Sequence, residues 1–319
     1  MAEFRTYTAI GQREDLSNTI YSIAPTETPV VSSIGKTKAT ATYHEWQTDT
    51  LAAAVKTGLL EGADASGASD TPTTRVGNRT QIQGKTVHIS GTLDAVDKAG
   101  RKTETAYQLA KAGQELKRDM EKTILGNVAQ DAGAAGSARL LGSIQSWLGT
   151  NFVTMTDGVA PVGSNGTAAR TEGATASAFT EEKLKECVKS CFENGGNPTL
   201  LVVPPTQKQV VSSFPGIAEQ RYAAPSDKQT TIMGAADVYL SDFGTLSVVP
   251  DRFMTADTSP AAEQALVLDP SMASVATLRP FQSNLLAKSG DSEKHQMLVE
   301  YTLQVSNEKA HGIVADLAV

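Results

Sequence analysis

Hydrophobic positions are distributed unevenly along the 319-residue chain. In residues 1–93, Thr, Ser, Ala and Gly stand at most positions where a compact domain would need large apolar side chains. A segment with so little apolar surface cannot offset the conformational entropy that it loses on ordering. We therefore expect residues 1–36 to form an extended arm and residues 37–93 a long hairpin, both packed on another molecule. Another copy of the same chain is the simplest such molecule.

Two segments have the pattern of amphipathic helices. In residues 103–125, apolar and small side chains recur at helical spacing, and Gly126 follows as a stop signal. With a rise of 1.5 Å per residue, this helix would be roughly 35 Å long. The second helix is predicted to begin after Thr180, to bury one apolar face and to end at Gly195. The residues of that face are Leu184, Cys187, Val188, Cys191 and Phe192.

Several shorter segments have strand patterns. Residues 200–203 form a continuous apolar run, which is typical of a strand covered on both faces. Residues 238–240 and 246–249 flank an Asp-Phe-Gly turn and predict a hairpin. Apolar side chains stand at every second position from Met297 to Val305, so this segment predicts a long half-buried strand, with residues 312–317 as its candidate partner.

The long hairpin is predicted to pair residues 37–51 with residues 80–93. Residues 52–78 lie between them and would form a long mobile tip, which is unusual because loops beyond about 15 residues are rare in compact domains and are usually functional. Across this hairpin, His44 and His88 either face each other or form polar pairs with other residues. The mixture of helices and strands predicts an α+β fold.

Charge and composition restrict the class of protein. The formal net charge of -7 argues against a general nucleic-acid-binding surface, because phosphate neutralisation needs clustered Lys and Arg. Residues 98–126, with seven basic and four acidic side chains, are either a solvated helix face or a mildly basic strip that meets acidic neighbours or a packaged polyanion. No apolar run approaches the roughly 18 residues of a membrane span, and the first residues lack a signal-peptide pattern. We expect a cytosolic protein with Cys187 and Cys191 reduced and buried.

No constellation of residues predicts catalysis. Gly84-Lys85-Thr86 resembles the end of a phosphate-binding loop, but Arg79 stands where that loop needs glycine, and a strand pattern follows where it needs a helix. The four histidines lack metal-ligand spacing. Neither a Gly-x-Ser-x-Gly elbow nor a dinucleotide fingerprint is present. We therefore expect a protein that is not an enzyme and that uses neither a cofactor nor a metal.

Three stretches of sequence resemble one protein family in their residues and in their order along the chain. They are Ser-Ile-Ala-Pro-Thr-Glu-Thr-Pro-Val-Val-Ser-Ser-Ile-Gly-Lys at 22–36, Val-Tyr-Leu-Ser-Asp-Phe-Gly at 238–244 running into Val-Pro-Asp-Arg-Phe-Met at 249–254, and Glu-Tyr-Thr-Leu at 300–303 with Asn-Glu-Lys-Ala-His-Gly at 307–312. With the order of arm, long loop, long helix and mixed lobe, the chain resembles a tailed-phage major capsid protein of the Hong Kong 97 type. The resemblance spans nearly the whole chain.

The resemblance implies a division of the chain into parts. Residues 1–36 would be the N-terminal arm, 37–93 the extended β-hairpin loop over a neighbouring subunit, 94–135 the peripheral domain with the spine helix, 136–275 the axial domain, and 276–319 the return to the peripheral domain. In this family the axial domain surrounds the five-fold and six-fold axes.

The function that the resemblance implies is self-assembly into an icosahedral head shell around packaged double-stranded DNA. The main partners would be further copies of the chain in hexamers and pentamers, with portal, scaffold or decoration proteins as further candidates. DNA would be contacted non-specifically, and no membrane would be involved. The shell would assemble in the bacterial host cytoplasm and become part of the virion. Candidate residues for contacts between subunits are Pro25, Pro29, Tyr43, Trp46, Lys56, Arg75 and Arg79.

Two other classes of protein stay open. An encapsulin-like compartment of the same fold would hold a cargo protein instead of a genome. A soluble enzyme would use the lobe at 136–275 as its scaffold, although no residue pattern supports one. Some capsids of this fold form a Lys to Asn isopeptide crosslink; the sequence around Lys56, Lys85 and Asn284 shows no matching site, so we expect non-covalent contacts.

Overall fold

The structure is a computed structural model that describes residues 26–56, 58, 60–62, 64, 71–154, 157–214, 237–254, 262–288 and 290–318. Pro25 and the preceding part of the predicted arm lie outside these ranges. In chain order the elements are α1 (Pro29–Ser33), β1 (Gly35–Lys38), β2 (Tyr43–Thr48), β3 (Thr74–Arg79), β4 (Gln81–Ser90), α2 (Gly91–Ala95), α3 (Glu104–Leu125), β5 (Phe152–Thr154), α4 (Glu181–Glu193), β6 (Leu200–Val203), α5 (Pro205–Ser212), β7 (Val238–Ser241), β8 (Gly244–Pro250), β9 (Ala262–Leu268), β10 (Ala273–Leu285), β11 (Ser292–Val305) and β12 (Gly312–Ala318).

These strands form two larger sheets and a two-stranded ribbon. The six-stranded sheet has the order β5-β12-β9-β6-β8-β7, and the four-stranded sheet has the order β1-β10-β11-β4. The six-stranded sheet is mixed, since β5 runs parallel to β12 and β6 parallel to β8, while its other pairs are antiparallel. Helices and sheets therefore combine into the predicted α+β class.

The apolar core lies on both faces of the six-stranded sheet. Along β6, Leu200 and Val202 join the core cluster that includes residues of α3, β10 and β11, whereas Leu201 and Val203 join the cluster beneath α4 and α5. Successive side chains of a strand point to opposite faces, so both faces must be apolar when both are covered. This confirms the prediction from the continuous apolar run.

The long helix α3 is confirmed almost to the residue. Thr103 is its N-cap and Gly126 its C-cap. The buried side chains Leu116, Met120 and Ile124 are spaced four apart and so share one face, and α3 packs on β4 and β11. None of the helices in the described ranges combines the length and apolar character of a membrane span.

Two predicted strand pairings are wrong. β2 pairs with β3, with Tyr43 opposite Arg79 and Thr48 opposite Thr74, whereas β4, the predicted partner, pairs with β11. β12 pairs with β5 and β9 instead of β11. Alternation of apolar side chains identifies a strand and its buried face, but it does not identify which strand lies beside it.

The structure corrects the prediction for Phe192 and decides between the two alternatives for His44 and His88. Phe192 is 53% exposed because it lies about 80° around the helix from Leu184, at the margin of the apolar stripe. His44 and His88 do not face each other: His44 Nε2 lies 3.0 Å from Gln304 Oε1, and His88 Nε2 lies 2.8 Å from the Ser292 hydroxyl. The predicted hairpin of β7 and β8 is confirmed. The division of the chain into domains stays a prediction.

Candidate subunit-contact surfaces

The strands β2 and β3 pair with each other and with no strand of the larger sheets. Most residues of this ribbon are half-buried or exposed, and only Gly77 and Asn78 of β3 are buried. Since an isolated two-stranded ribbon is marginally stable in water, contacts at one of its ends must hold it.

Aromatic packing holds one side of the ribbon base. The rings of Trp46 and Trp147 lie 5.3 Å apart between centroids, with planes inclined by 31°. Trp147 is buried, and Trp46 and Val76 pack against the core cluster around it. Large aromatic side chains contribute strongly when buried in this way. Both tryptophans therefore make a core contact within the chain.

A buried amide fixes the base in register. Asn78 Nδ2 donates to the carbonyls of Gly142 (2.9 Å) and Leu303 (2.8 Å), and its Oδ1 accepts the amide hydrogen of Gly142 at 2.8 Å. Every polar atom of this side chain is therefore paired, as a buried amide requires. Asn78 joins β3 to the segment at 142 and to β11.

A buried carboxylate, that of Glu300, also fixes the position of the ribbon base. Glu300 Oε1 accepts the Thr80 hydroxyl at 2.8 Å, and Oε2 accepts Arg279 Nε at 2.7 Å. The guanidinium of Arg139 donates to Glu300 as well. Charge-assisted bonds of this kind are stronger than neutral ones. The base of the ribbon is thus a rigid mount made by residues far apart in sequence.

The tip has the opposite character. It joins Thr48 to Thr74, and among its described residues the apolar side chains of Leu51, Val55 and Leu60 are 97%, 79% and 84% exposed. Large exposed apolar surfaces are typical of sites that contact another molecule. A rigid mount with an apolar tip suits contact with another molecule.

The predicted contact residues occupy different environments. Arg75 forms two hydrogen bonds to Glu45, of 2.9 and 3.0 Å, on the exposed side of the ribbon. Arg79 stacks on Tyr43 with its guanidinium carbon 5.0 Å from the ring centroid. Lys56 is exposed at the tip. Contacts of these residues with other subunits stay a prediction.

The described part of the arm packs on its own chain, which corrects the expectation that the arm packs only on another molecule. Val30 and Ile34 are buried in one core cluster with Met120 and Ile124 of α3, and β1 pairs parallel with β10. Pro29 occupies the first turn of α1, where its missing N–H costs nothing. Pro25 lies outside the described residues.

Three of the titratable side chains considered from the sequence, Cys187, Cys191 and His311, are buried. Cys187 and Cys191 are free and buried, and the hydrogen bond of the Cys187 thiol with Cys191, together with burial, raises the pKa of that thiol, which disfavours the reactive thiolate. Burial lowers the pKa of His311 to about 4, and its Nδ1 accepts the Asp269 amide hydrogen at 3.1 Å. Within the described residues, no group of three His, Cys, Asp or Glu side chains is arranged to hold a metal ion.

Comparison with known proteins places these surfaces in context. The family model of the SU10 major capsid protein matches residues 4–318. The major capsid protein of Escherichia phage Phieco32 is 38% identical over 128 residues, which cover 40% of this chain and 36% of that relative. The match therefore spans little more than a third of the relative's length.

Solved structures show the same fold. The capsid of a native GTA particle, computed with C5 symmetry, has a TM-score of 0.60 at 12% identity, with 98% of this chain and 97% of that chain covered. The holo-SrpI encapsulin complex from Synechococcus elongatus PCC 7942 has a TM-score of 0.55 at 11% identity, with 99% and 96% covered. The predicted Hong Kong 97 type fold is thereby confirmed. Since the family model matches nearly every residue, the chain belongs to the SU10 major capsid protein family.

Proposed function

We propose that this chain is the subunit of an icosahedral phage head shell around packaged double-stranded DNA, and that ribbon tips join neighbouring copies. The ribbon supports this proposal, because Trp46, Asn78 and Glu300 hold its base while the described apolar side chains of its tip are exposed. A single chain gains nothing from such a tip. Another copy that covers it would gain apolar burial, and many identical contacts would close the shell by symmetry.

The two edges of the six-stranded sheet support ring formation. Strand β7 ends the sheet on one side, and its outward residues Val238 and Leu240 are exposed. Strand β5 ends the sheet on the other side, and the loop after it exposes Val159 and Val162. Two different apolar surfaces on opposite sides of a subunit suit a head-to-tail contact, which closes into a ring when the rotation per subunit divides the circle.

The charge of α3 supports a shell whose contact with DNA is weak and non-specific. Lys111 is paired with Glu115 along the helix, and Arg101 is paired with Glu104. These pairs use part of the basic strip predicted at 98–126 within the chain. The remaining basic groups would contact phosphates without base readout.

An encapsulin-like compartment is the alternative, and no observation favours it over the phage shell. The encapsulin similarity is one of fold at 11% identity, whereas the family match is to a phage capsid protein. Particles made in phage-infected cells should hold DNA that resists nuclease until the shell is opened. Particles that hold a single protein and no nucleic acid would point to a cargo compartment.

The proposal is tested first on the chain expressed alone. Size-exclusion chromatography with light scattering, followed by electron microscopy of the largest fraction, should reveal shells or capsomer-sized rings. Portal, scaffold or decoration proteins would then be added to define what completes the head. A chain that stays monomeric at high concentration, alone and with these proteins present, would refute self-assembly.

One substitution separates the ring contact from the fold. Leu240→Glu should leave the free energy of unfolding within about 0.5 kcal/mol, because Leu240 is 72% exposed in the subunit. Rings should be lost, since a buried unpaired charge is costly. Light scattering measures the ring fraction, and Thr86→Glu, at an exposed position of β4, serves as the control that keeps rings. Normal rings from the Leu240→Glu chain would exclude the β7 edge from the contact.

A further inference from the structure

Two carboxyl groups meet in the core beneath the arm. Glu121 projects from α3, and Asp251 follows β8 directly. Both side chains are buried, and the two carboxyl groups lie within hydrogen-bonding reach of each other. Two ionised carboxylates cannot share such a site, because burial and mutual repulsion both disfavour the second charge.

The hydrogen bonds around the pair leave one oxygen that needs a proton. Glu121 Oε1 accepts the amide hydrogen of Val30 at 2.6 Å, and Oε2 accepts that of Val31 at 2.8 Å. Asp251 Oδ1 accepts the amide hydrogen of Phe253 at 2.7 Å. Among the described residues, no N–H or O–H group reaches Asp251 Oδ2. A proton between Asp251 and Glu121 would give Asp251 Oδ2 the hydrogen bond that it lacks.

Among the described residues, no cation forms an ion pair with either carboxyl group. α1 has no charged side chain, the Arg118 guanidinium lies over the Phe253 ring at 5.6 Å, and Asp119 is paired with Lys85. The other charged neighbours in sequence are Lys122 on α3 and Arg252 beside Asp251. The nearby core residues are apolar: Val30, Ile34, Met120, Ile124 and Met254.

We propose that Glu121 and Asp251 share one proton, and that this proton acts as a latch that holds α1 of the arm on the spine helix α3. The Glu121 carboxyl is the part of the latch that binds α1, through two backbone amides. Loss of the proton leaves two buried negative charges, and undocking of α1 with hydration of Glu121 relieves them. The latch lies within one subunit, so it does not depend on shell formation.

The direction of the pH effect follows from the two states. Burial, followed by the Asp251 carboxyl, raises the pKa of Glu121 from 4.5 to about 8, and burial also raises the pKa of Asp251. Between pH 4.5 and about pH 8, the docked state therefore binds more protons than the undocked state. Docking is strongest below about pH 4.5 and weakens as the pH rises to about 8.

Hydrogen exchange of the full-length chain measures this docking at the amides involved. Protection in residues 28–36, corrected for the intrinsic pH dependence of exchange, should fall by about 50-fold between pH 6.0 and pH 8.0 for a one-proton latch. Asp119→Asn removes an exposed carboxylate from the same helix and should leave this change intact. A change below about fivefold in the unmodified chain would overturn the proposal.

Two isosteric variants separate the shared proton from simple packing. Asp251→Asn places a permanent N–H donor against Glu121, so protection should stay high and change by less than about fivefold over the same pH range. Glu121→Gln leaves one acceptor for two amides, so protection should be low at both pH values. An Asp251→Asn chain that still loses protection by about 50-fold would assign the pH response to another group.

Discussion

A chain with a shortened ribbon tip is expected to fold normally and to lose shell assembly. Residues 50–72 are replaced by Asn-Gly, so that Asp49 and Thr73 flank a two-residue turn that continues the register in which Thr48 pairs with Thr74. Because Trp46, Asn78 and Glu300 hold the base without help from the tip, circular dichroism and thermal unfolding should match those of the unmodified chain.

The size of the assembly defect follows from the apolar area that the tip offers. Burial of a large apolar side chain contributes about 1.5–3 kcal/mol, and the removed segment contains the exposed Leu51, Val55 and Leu60. Even the lower value gives about 4.5 kcal/mol per subunit, which corresponds to a roughly 2000-fold higher concentration for assembly. Light scattering across a concentration series measures this threshold.

A surface substitution away from the ribbon controls for expression and handling. Lys183→Gln removes an exposed i,i+3 ion pair with Glu186 on α4, which contributes little to stability, and it should assemble like the unmodified chain. Shells from the shortened chain at the original concentration would show that the tip is dispensable and would move the contact to other surfaces.

Arg170→Met is expected to lower the free energy of unfolding by about 3–5 kcal/mol, because it leaves a buried carboxylate without its cation. Arg170 Nη1 lies 3.4 Å from Asp316 Oδ1, and both side chains are buried. Burial lowers the pKa of the Arg170 guanidinium while Glu172 and Asp316 favour its charge. The substitution also removes the Nε donor of the 2.7 Å hydrogen bond to Gln145.

Urea unfolding of the unassembled subunit measures this loss, and a second substitution identifies its cause. Asp316→Asn removes the buried charge, and Asn tolerates the φ of 61° found at this position. The double variant Arg170→Met with Asp316→Asn should therefore be more stable than Arg170→Met alone. If Arg170→Met unfolds at the same urea concentration as Lys183→Gln, the Arg170–Asp316 ion pair does not stabilise the packing of the segment around Arg170 on β12.

The candidate site was predictable only in part. The sparse apolar content of residues 37–93 indicated an exposed loop, and the family resemblance implied that this loop contacts a neighbouring subunit. The residues that fix its base were missed, because Asn78 bonds to Leu303, Thr80 to Glu300, and Trp46 to Trp147. Nothing in the local sequence marks such partners. An aromatic, an amide or a carboxylate has the same local pattern whether it faces water or a distant strand.

The sequence by itself determined the elements whose signal is local and periodic. The spine helix α3, the doubly covered strand β6 and the β7–β8 hairpin follow from spacing, capping and turn residues that act within about twenty positions. Family membership likewise came from linear order. Only the tertiary structure decided that β3 is the partner of β2, that β12 lies between β5 and β9, and that Glu121 meets Asp251. Strand neighbours and buried charge pairs depend on how distant segments share one core, and their free energies arise only when that core is closed.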